Sequence, residues 1–404
     1  MNIKIPKAVV GLWLWNSYMG GYPAVIIKPV VDACVHKVEP GCASVRENYR
    51  RLSWCWATAS QECPRDWQLL FNQVVDVIDE QDEQVLCVIP NALVSSRVTP
   101  QELKNLRCWA LKDGVKPLDK LTDEERAAIP PRINAQHFVS SGSDVLTLIM
   151  PWENPADHQV YSSGTQFVRT FNDDHDYYGI YWYNPESGVV QELKIYHDNC
   201  YIHGLRSMSE RQRDMLAIID RWAHELVIPY VWGGGSIGCA PLGVPCLAQN
   251  STIAPDAQGW YWKFGLQGPA YGVDCASFVF VAAHIVELPY FYRNTTTLSS
   301  HLRPLRVGDS LEDGDLIWFA GHVMLLSDSK NGIITESRGY GIEAGIKTGR
   351  VVRRPFTEVF KTIRTPDDLL KTFFSGASLD YIDRHGTVLS VPFKILKFAS
   401  IYRD

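Results

Sequence analysis

This chain of 404 residues has no apolar run long enough to span a bilayer, no long basic stretch and no internal repeat. The first absence argues against a helical membrane span, and the third against a solenoid. With a net charge of −6 and no basic track, a nucleic-acid partner is not expected, and bulk charge would not draw in an anionic wall polymer either. Cysteine occurs ten times, but at spacings unlike the disulfide framework of a small secreted domain. Cys239 and Cys246 have six residues between them and no matching His/Cys cluster, so no zinc or other metal is expected. No feature calls for a cofactor. A hydrophobic content of 46% with 21% charged residues is that of ordinary globular material, and the length allows two or three domains.

What is present is a cysteine in an informative place. Gly272-Val273-Asp274-Cys275-Ala276-Ser277-Phe278 runs into the apolar stretch Val279 to Val286, so Cys275 falls where a loop becomes a helix. The first N–H groups of a helix lack intrahelical acceptors and its dipole favours negative charge, so a thiol there is disposed to ionise and act as a nucleophile. Downstream, Leu316 to Leu326 reads as two strands around Gly321, with His322 projecting from the second and Gly321 allowing another backbone to come close. A further short strand, Gly332 to Ser337, ends in polar groups able to orient an imidazole through its other nitrogen. Singly, a cysteine before an apolar helix or a histidine on a strand is more often a packed structural residue. Together they form a thiol-hydrolase constellation in the order Cys, His, orienter.

Four segments occur in order: Ile228-Pro229-Tyr230-Val231-Trp232-Gly233-Gly234, Asp274-Cys275, Leu311-Glu312-Asp313-Gly314-Asp315-Leu316 and Gly321-His322-Val323. This set resembles the NlpC/P60 family of cysteine peptidases over roughly Met208 to Arg364. The resemblance implies an α+β fold, with a papain-like NlpC-type catalytic domain preceded by one or two small SH3-like β-barrels. It implies hydrolysis of murein stem peptides, usually at the bond between γ-D-glutamate and a diamino acid. Cys275 would then be the nucleophile and His322 the proton relay. Tyr230, Trp232, Asp274 and Ser277 would lie at the substrate, with Tyr230 beside the nucleophile and Asp274 holding the free amino terminus. The Cys275 N–H would serve as an oxyanion donor. A barrel walling off part of the cleft would favour short peptides with a free amino terminus, as in recycling of released fragments.

The chain departs from that pattern in three places. Ala276 follows the cysteine where serine is usual, with Ser277 one position later. The third catalytic position, commonly His, Asn or Gln, has none of these in Ile333 to Gly339. Glu336 is the choice there, and Thr335 the alternative, because a one-residue change of register exchanges the two faces of a strand; a solvated carboxylate paired with Arg338 is the non-catalytic reading of Glu336. About forty residues separate Gly234 from Asp274, far more than is common in the family. The aromatic patch Trp260-Tyr261-Trp262 within them suggests an ordered loop acting as a lid or cleft wall. Two other functions fit the same residues: an amidase or acyltransferase on this fold, or a wall-fragment binding protein that has lost activity.

The expected division is a segment over 1–22, an SH3-like barrel with a linker helix over 23–135, a second SH3-like barrel over 136–205, and the peptidase domain with a C-terminal extension over 206–404. Ala24 to Cys34 reads as an edge strand or two short strands around Pro29, and Trp67–Glu80 and Val85–Ile89 as two strands about an acidic turn. Asp144–Trp152, Tyr178–Tyr183 and Tyr201-Ile202 outline the second barrel. Lys112 to Arg132 is charged and helix-prone, a linker or decorating helix stopped at Pro130-Pro131. The first peptidase helix runs to Leu226 with Ser207 or Ser209 as its cap, and Val391 to Phe398 is read as a strand docking back on the body. A monomer is expected. Ala8 to Trp15 imitates a signal sequence, but no convincing cleavage site follows, so a retained segment is expected. A thiol that must stay reduced fits the cytoplasm, with export to the periplasm or cell exterior as the alternative.

Overall fold

Proline and a single left-handed asparagine set the strand breaks at the start of the chain. The computed structural model describes residues 21–40, 44–52, 65–238, 271–343, 346–383 and 385–403. The chain divides into one unit of Met1–Tyr49, Asp66–Asn91 and Asn105–Arg206, and another of Arg50–Arg65, Ala92–Lys104 and Ser207–Asp404. In the first, β1 (Tyr22–Ile26) and β2 (Val30–Cys34) are separate strands, parted at Pro29, which has no N–H for a ladder. β3 (Arg65–Leu70) and β4 (Val74–Gln81) replace the single strand expected over Trp67–Glu80. Asn72 breaks it by adopting φ 65°, a region asparagine tolerates, and its N–H bonds Ile26 O at 2.9 Å.

β5 (Gln84–Val94), β6 (Lys104–Leu111) and β7 (Val115–Pro117) complete a seven-stranded sheet in the order β3-β2-β6-β5-β4-β1-β7. The helix expected over Lys112 to Arg132 is reduced to Asp123–Ala127, closed by a Thr122/Glu125 capping box. Val115–Pro117 instead pairs with β1, Val25 facing Lys116, because a β-branched residue beside a free sheet edge gains a ladder that an isolated short helix does not offer.

A five-stranded sheet follows. β8 (Val145–Leu148), β11 (Gln166–Arg169), β12 (Tyr177–Tyr183), β13 (Val190–Tyr196) and β14 (Cys200–Ile202) lie in the order β13-β12-β11-β8-β14, with β9 (Trp152–Glu153) and β10 (Val160–Tyr161) forming a ribbon. Its aromatic side chains share one buried cluster with the seven-stranded sheet. Phe71 meets Tyr161 edge-on at 5.0 Å and stacks on Tyr183 at 5.4 Å. The SH3-like barrels expected from the resemblance are therefore not seen: among the described residues neither sheet closes, since its end strands do not pair with each other, and the two sheets have a core in common.

The second unit is built on an antiparallel sheet. β17 (Leu316–Phe319), β18 (His322–Asp328), β19 (Ile333–Glu343), β20 (Ile346–Pro355) and β23 (Phe393–Leu396) lie in the order β20-β19-β18-β17-β23. β15 (Gly235–Ser236) pairs with β16 (Gly272–Val273), and β21 (Leu379–Ile382) with β22 (Val388–Val391). β23 is the docking strand of the tail, Leu316 facing Leu396. The helix Met208–Glu225 starts at Ser207, whose hydroxyl accepts from Glu210 N while the Glu210 carboxylate accepts from Ser207 N. It packs Trp222 against Phe278 at 6.3 Å. Phe278 belongs to the helix Cys275–Ile285, which is buried on nearly every side, so its continuous apolar run marks a core helix rather than an amphipathic one. The whole is a mixed, sheet-rich α+β structure. Cys239, Cys246, the Trp260-Tyr261-Trp262 patch and the apolar run Ala8 to Trp15 lie outside the described residues, and with them the expected lid and retained segment. Among the described residues no helix is long and apolar enough to cross a membrane, and no group of three or more His, Cys, Asp or Glu is placed to hold a metal.

Candidate active site

Cys275 is the first residue of its helix, and the residue before it makes the cap. Asp274 Oδ1 accepts from Ala276 N at 3.0 Å and Ser277 N at 2.8 Å, while Ser277 Oγ accepts from Asp274 N at 2.9 Å. The cap skips the Cys275 N–H, which has no intrahelical acceptor. Ser277 Oγ also donates to Gly234 O, tying the helix start to the Trp232-Gly233-Gly234 turn. That turn needs glycine for space: a Cβ on Gly234 would lie 2.3 Å from Gly272 O. Val231 N donates to Val273 O at 3.2 Å and Val273 N to Pro229 O at 3.1 Å, so the separated Tyr230 and Asp274 segments reach the helix start as paired backbone.

His322 opens β18, after a two-residue turn in which Phe319 faces it. Gly321 sits in that turn at φ 89°, and a Cβ there would meet nothing within 4 Å. The glycine therefore serves the left-handed backbone, not the close approach of another chain segment. Glu336 lies on β19, completely buried, with Oε2 2.6 Å from His322 Nε2. The Cys275 side chain is close enough to the imidazole to favour its charged form. His322 thus stands between thiol and carboxylate. Burial opposes the imidazolium, yet Cys275 and Glu336 outweigh it and push His322 up to about 10. Burial likewise works against the carboxylate, but His322 and Arg354 overcome it and hold Glu336 down at about 2.

Of the two readings of the third residue, the structure brings Glu336 to the imidazole, while Thr335 faces the other way and bonds Ser327 Oγ at 2.9 Å. Nor does Glu336 pair with Arg338, whose guanidinium donates to the carbonyls of Ile382 and Asp383. Its partner is Arg354 on β20, diagonal to it because Glu336 faces Val352 and Ile334 faces Arg354. Tyr381 completes the surround, with Oη 3.4 Å from Glu336 Oε2 and its ring 5.9 Å from that of His322.

The residues expected at the substrate are placed differently from one another. Asp274 is engaged: besides the cap, Oδ2 pairs with Arg293 Nη2 at 2.9 Å, and the Arg293 side chain is only 4% exposed. Ser277 is buried in the same cap. Tyr230 is buried beside Val273, and Trp232 is half-buried, its carbonyl accepting from Arg65 Nε at 3.0 Å. Sequence reasoning passed over Arg293, Arg354 and Tyr381. Only Arg354 carried a signal, as one of two adjacent arginines on a strand whose faces alternate between core and solvent.

No protein-family model matches this chain, and no curated protein does. Among solved structures it is similar to an NlpC/P60 family protein from Bacillus cereus ATCC 10987, at 14% identity and a TM-score of 0.49, covering 83% of this chain and 94% of that one. It is also similar to NlpC2 from Trichomonas vaginalis, at 13% identity and a TM-score of 0.30 over 94% of this chain and 100% of that one. NlpC1 of the same organism is similar at 13% identity and a TM-score of 0.30, over 85% and 91%. Superpositions this loose carry no argument about chemistry, which rests on the geometry above.

Proposed function

We propose that this chain is a cysteine peptidase acting on murein stem peptides, at the bond between γ-D-glutamate and a diamino acid. The observation that supports it best is the buried His322 ring, held between the thiol at a helix start and the Glu336 carboxylate at 2.6 Å. In this reading the Cys275 thiolate attacks the amide carbon, and the carbonyl oxygen gathers charge against the Cys275 N–H. The imidazolium of His322 gives its proton to the departing amine, the C–N bond breaks, and a thioester remains. Neutral His322 then takes a proton from water as the water attacks the thioester, and the thiol leaves with that proton. Glu336 stays ionised throughout and holds the ring by accepting from Nε2–H.

The substrate class rests on the four ordered segments of the sequence. Asp274 is not assigned the substrate's amino terminus, because its oxygens are taken by the helix cap and Arg293; a free amine is then not a requirement of this residue. The test is mass-spectrometric digestion of L-Ala-γ-D-Glu-diaminopimelate, with and without an acetylated amino terminus, by wild type and Cys275→Ala. Cleavage after D-Glu that vanishes in the variant is the expected result. No cleavage of either peptide would sink the assignment and turn attention to amide or lipid acyl substrates, or to silent binding of wall fragments.

A further inference from the structure

The Glu336 carboxylate is gripped from three elements. His322 comes from β18, Arg354 from β20 onto Oε1, and Tyr381 from the C-terminal hairpin onto Oε2. Resting on the reading of Cys275 as nucleophile, we propose that Arg354 and Tyr381 are positioning residues of the thiol–imidazole pair, so that the C-terminal hairpin is part of the active site.

The argument begins with solvation. The Glu336 side chain is 0% exposed, and that of Arg354 13%. An ionised carboxylate in such a place needs a cation, or it takes up a proton. Protonation would reverse the polarity of the contact with His322. A carboxylic acid donates its O–H to Nε2, leaving the ring proton on Nδ1, and the ring then has no lone pair to accept the thiol proton. An ionised carboxylate accepts from Nε2–H and leaves Nδ1 for the thiol. Arg354 therefore selects the tautomer by keeping Glu336 charged. Tyr381 acts on direction, its hydroxyl meeting the same oxygen that meets His322 while its ring packs against His322 and, at 5.0 Å, against Phe319.

The hairpin that carries Tyr381 is docked by several contacts. Lys361 N donates to Asp380 O at 2.9 Å, Phe360 and Tyr381 form an antiparallel bridge, and Arg338 donates to the Ile382 and Asp383 carbonyls. The charged and titratable groups around Glu336 are thus His322 on β18, Arg354 on β20 and Tyr381 on β21, with Arg338 on β19 itself acting on Tyr381 and Cys275 reached through His322. Arg354 and Tyr381 both lie outside the four ordered segments.

Arg354→Met, Arg354→Lys and Tyr381→Phe test the proposal through the pH profiles of Cys275 carboxamidomethylation by iodoacetamide and of kcat/KM on the tripeptide. Arg354→Met is expected to move the acid limb upward by about one pH unit or more, as a carboxyl losing an adjacent cation does, and Arg354→Lys to restore most of it. Tyr381→Phe is expected to lower kcat by roughly three- to tenfold with KM unchanged, the mark of an interaction spent on the transition state. An unmoved acid limb in Arg354→Met, with wild-type Cys275 reacting faster in the folded protein than in urea, would overturn the inference and leave the nucleophile reading standing. Wild-type Cys275 reacting no faster folded than in urea would overturn both. Should Arg354→Met not fold, the double variant Arg354→Met with Glu336→Gln strands no charge. Activity equal to that of Glu336→Gln alone supports the coupling, and fully additive losses refute it.

Discussion

Replacing Glu336 by Gln removes one charge at constant shape from a fully buried site, and its effect can be worked out beforehand. The carboxylate serves three donors, His322 and Tyr381 through Oε2 and Arg354 through Oε1. An amide has one acceptor oxygen, so Gln can satisfy either the imidazole or the guanidinium and must turn an N–H toward the other. The wild-type carboxyl, moved from 4.5 to about 2, is stabilised by roughly 3 kcal/mol at about 1.4 kcal/mol per tenfold. That agrees with the roughly 3–5 kcal/mol lost when one partner of a buried pair is removed. For a unit of this size, roughly 3 kcal/mol corresponds to a fall of about 6–12 °C in Tm. The sign with pH follows from the direction of the shift. Because the folded value is depressed, the stabilisation is complete above about 4.5 and disappears as pH falls through about 2. His322, raised from 6.5 to about 10, contributes below 6.5 and ceases to as pH rises through 10; it is the same pairing and is counted once. Calorimetry of wild type and variant from pH 2 to 9 should show the largest gap on the plateau between these limits and near coincidence at the acid end. A kcat lowered by about tenfold or more should accompany it. Tm values within about 2 °C at pH 6 would refute the reasoning, since the carboxylate would then be contributing far less than its surroundings require.

Three further outcomes test the scaffold. Gly234→Ala forces a Cβ to 2.3 Å from Gly272 O, so a loss of about 1–3 kcal/mol in urea unfolding and a fall in peptide hydrolysis are expected; unchanged values for both would remove the close approach as the reason for glycine. Asp274→Asn keeps a good helix cap but takes the negative charge from the buried pair with Arg293, so it should cost more than the roughly 1 kcal/mol expected if only the cap mattered; a smaller loss in urea unfolding would mean that the ion pair contributes nothing. Ser207→Ala removes one half of a capping box and should cost about 1 kcal/mol with hydrolysis of the tripeptide unchanged; an altered kcat would mean that this helix end reaches the site.

The sequence by itself determined the features that depend on a few neighbouring residues. The helix start at Ser207 or Ser209, the interruption at Pro29, the apolar run behind Cys275 and the strand that carries His322 are all short-range patterns, set by backbone hydrogen bonding and side-chain period. Glu336 was legible only as one of two alternating residues, since a strand's two faces cannot be told apart until something packs on one of them. Only the tertiary structure decided that Glu336 faces His322, that Arg354 and Tyr381 surround it, and that Arg293 pairs with Asp274. Those partners lie on other strands or loops, from 14 to 45 residues away along the chain, and no local pattern encodes a distance of that kind. The same reason governs the first unit. Asn72 turns a continuous apolar stretch into two strands, Val115–Pro117 leaves a helix-prone segment for a sheet edge, and two sheets expected to close separately share one aromatic core. In each case burial against a remote surface outweighs a local preference worth less than about 1 kcal/mol per residue.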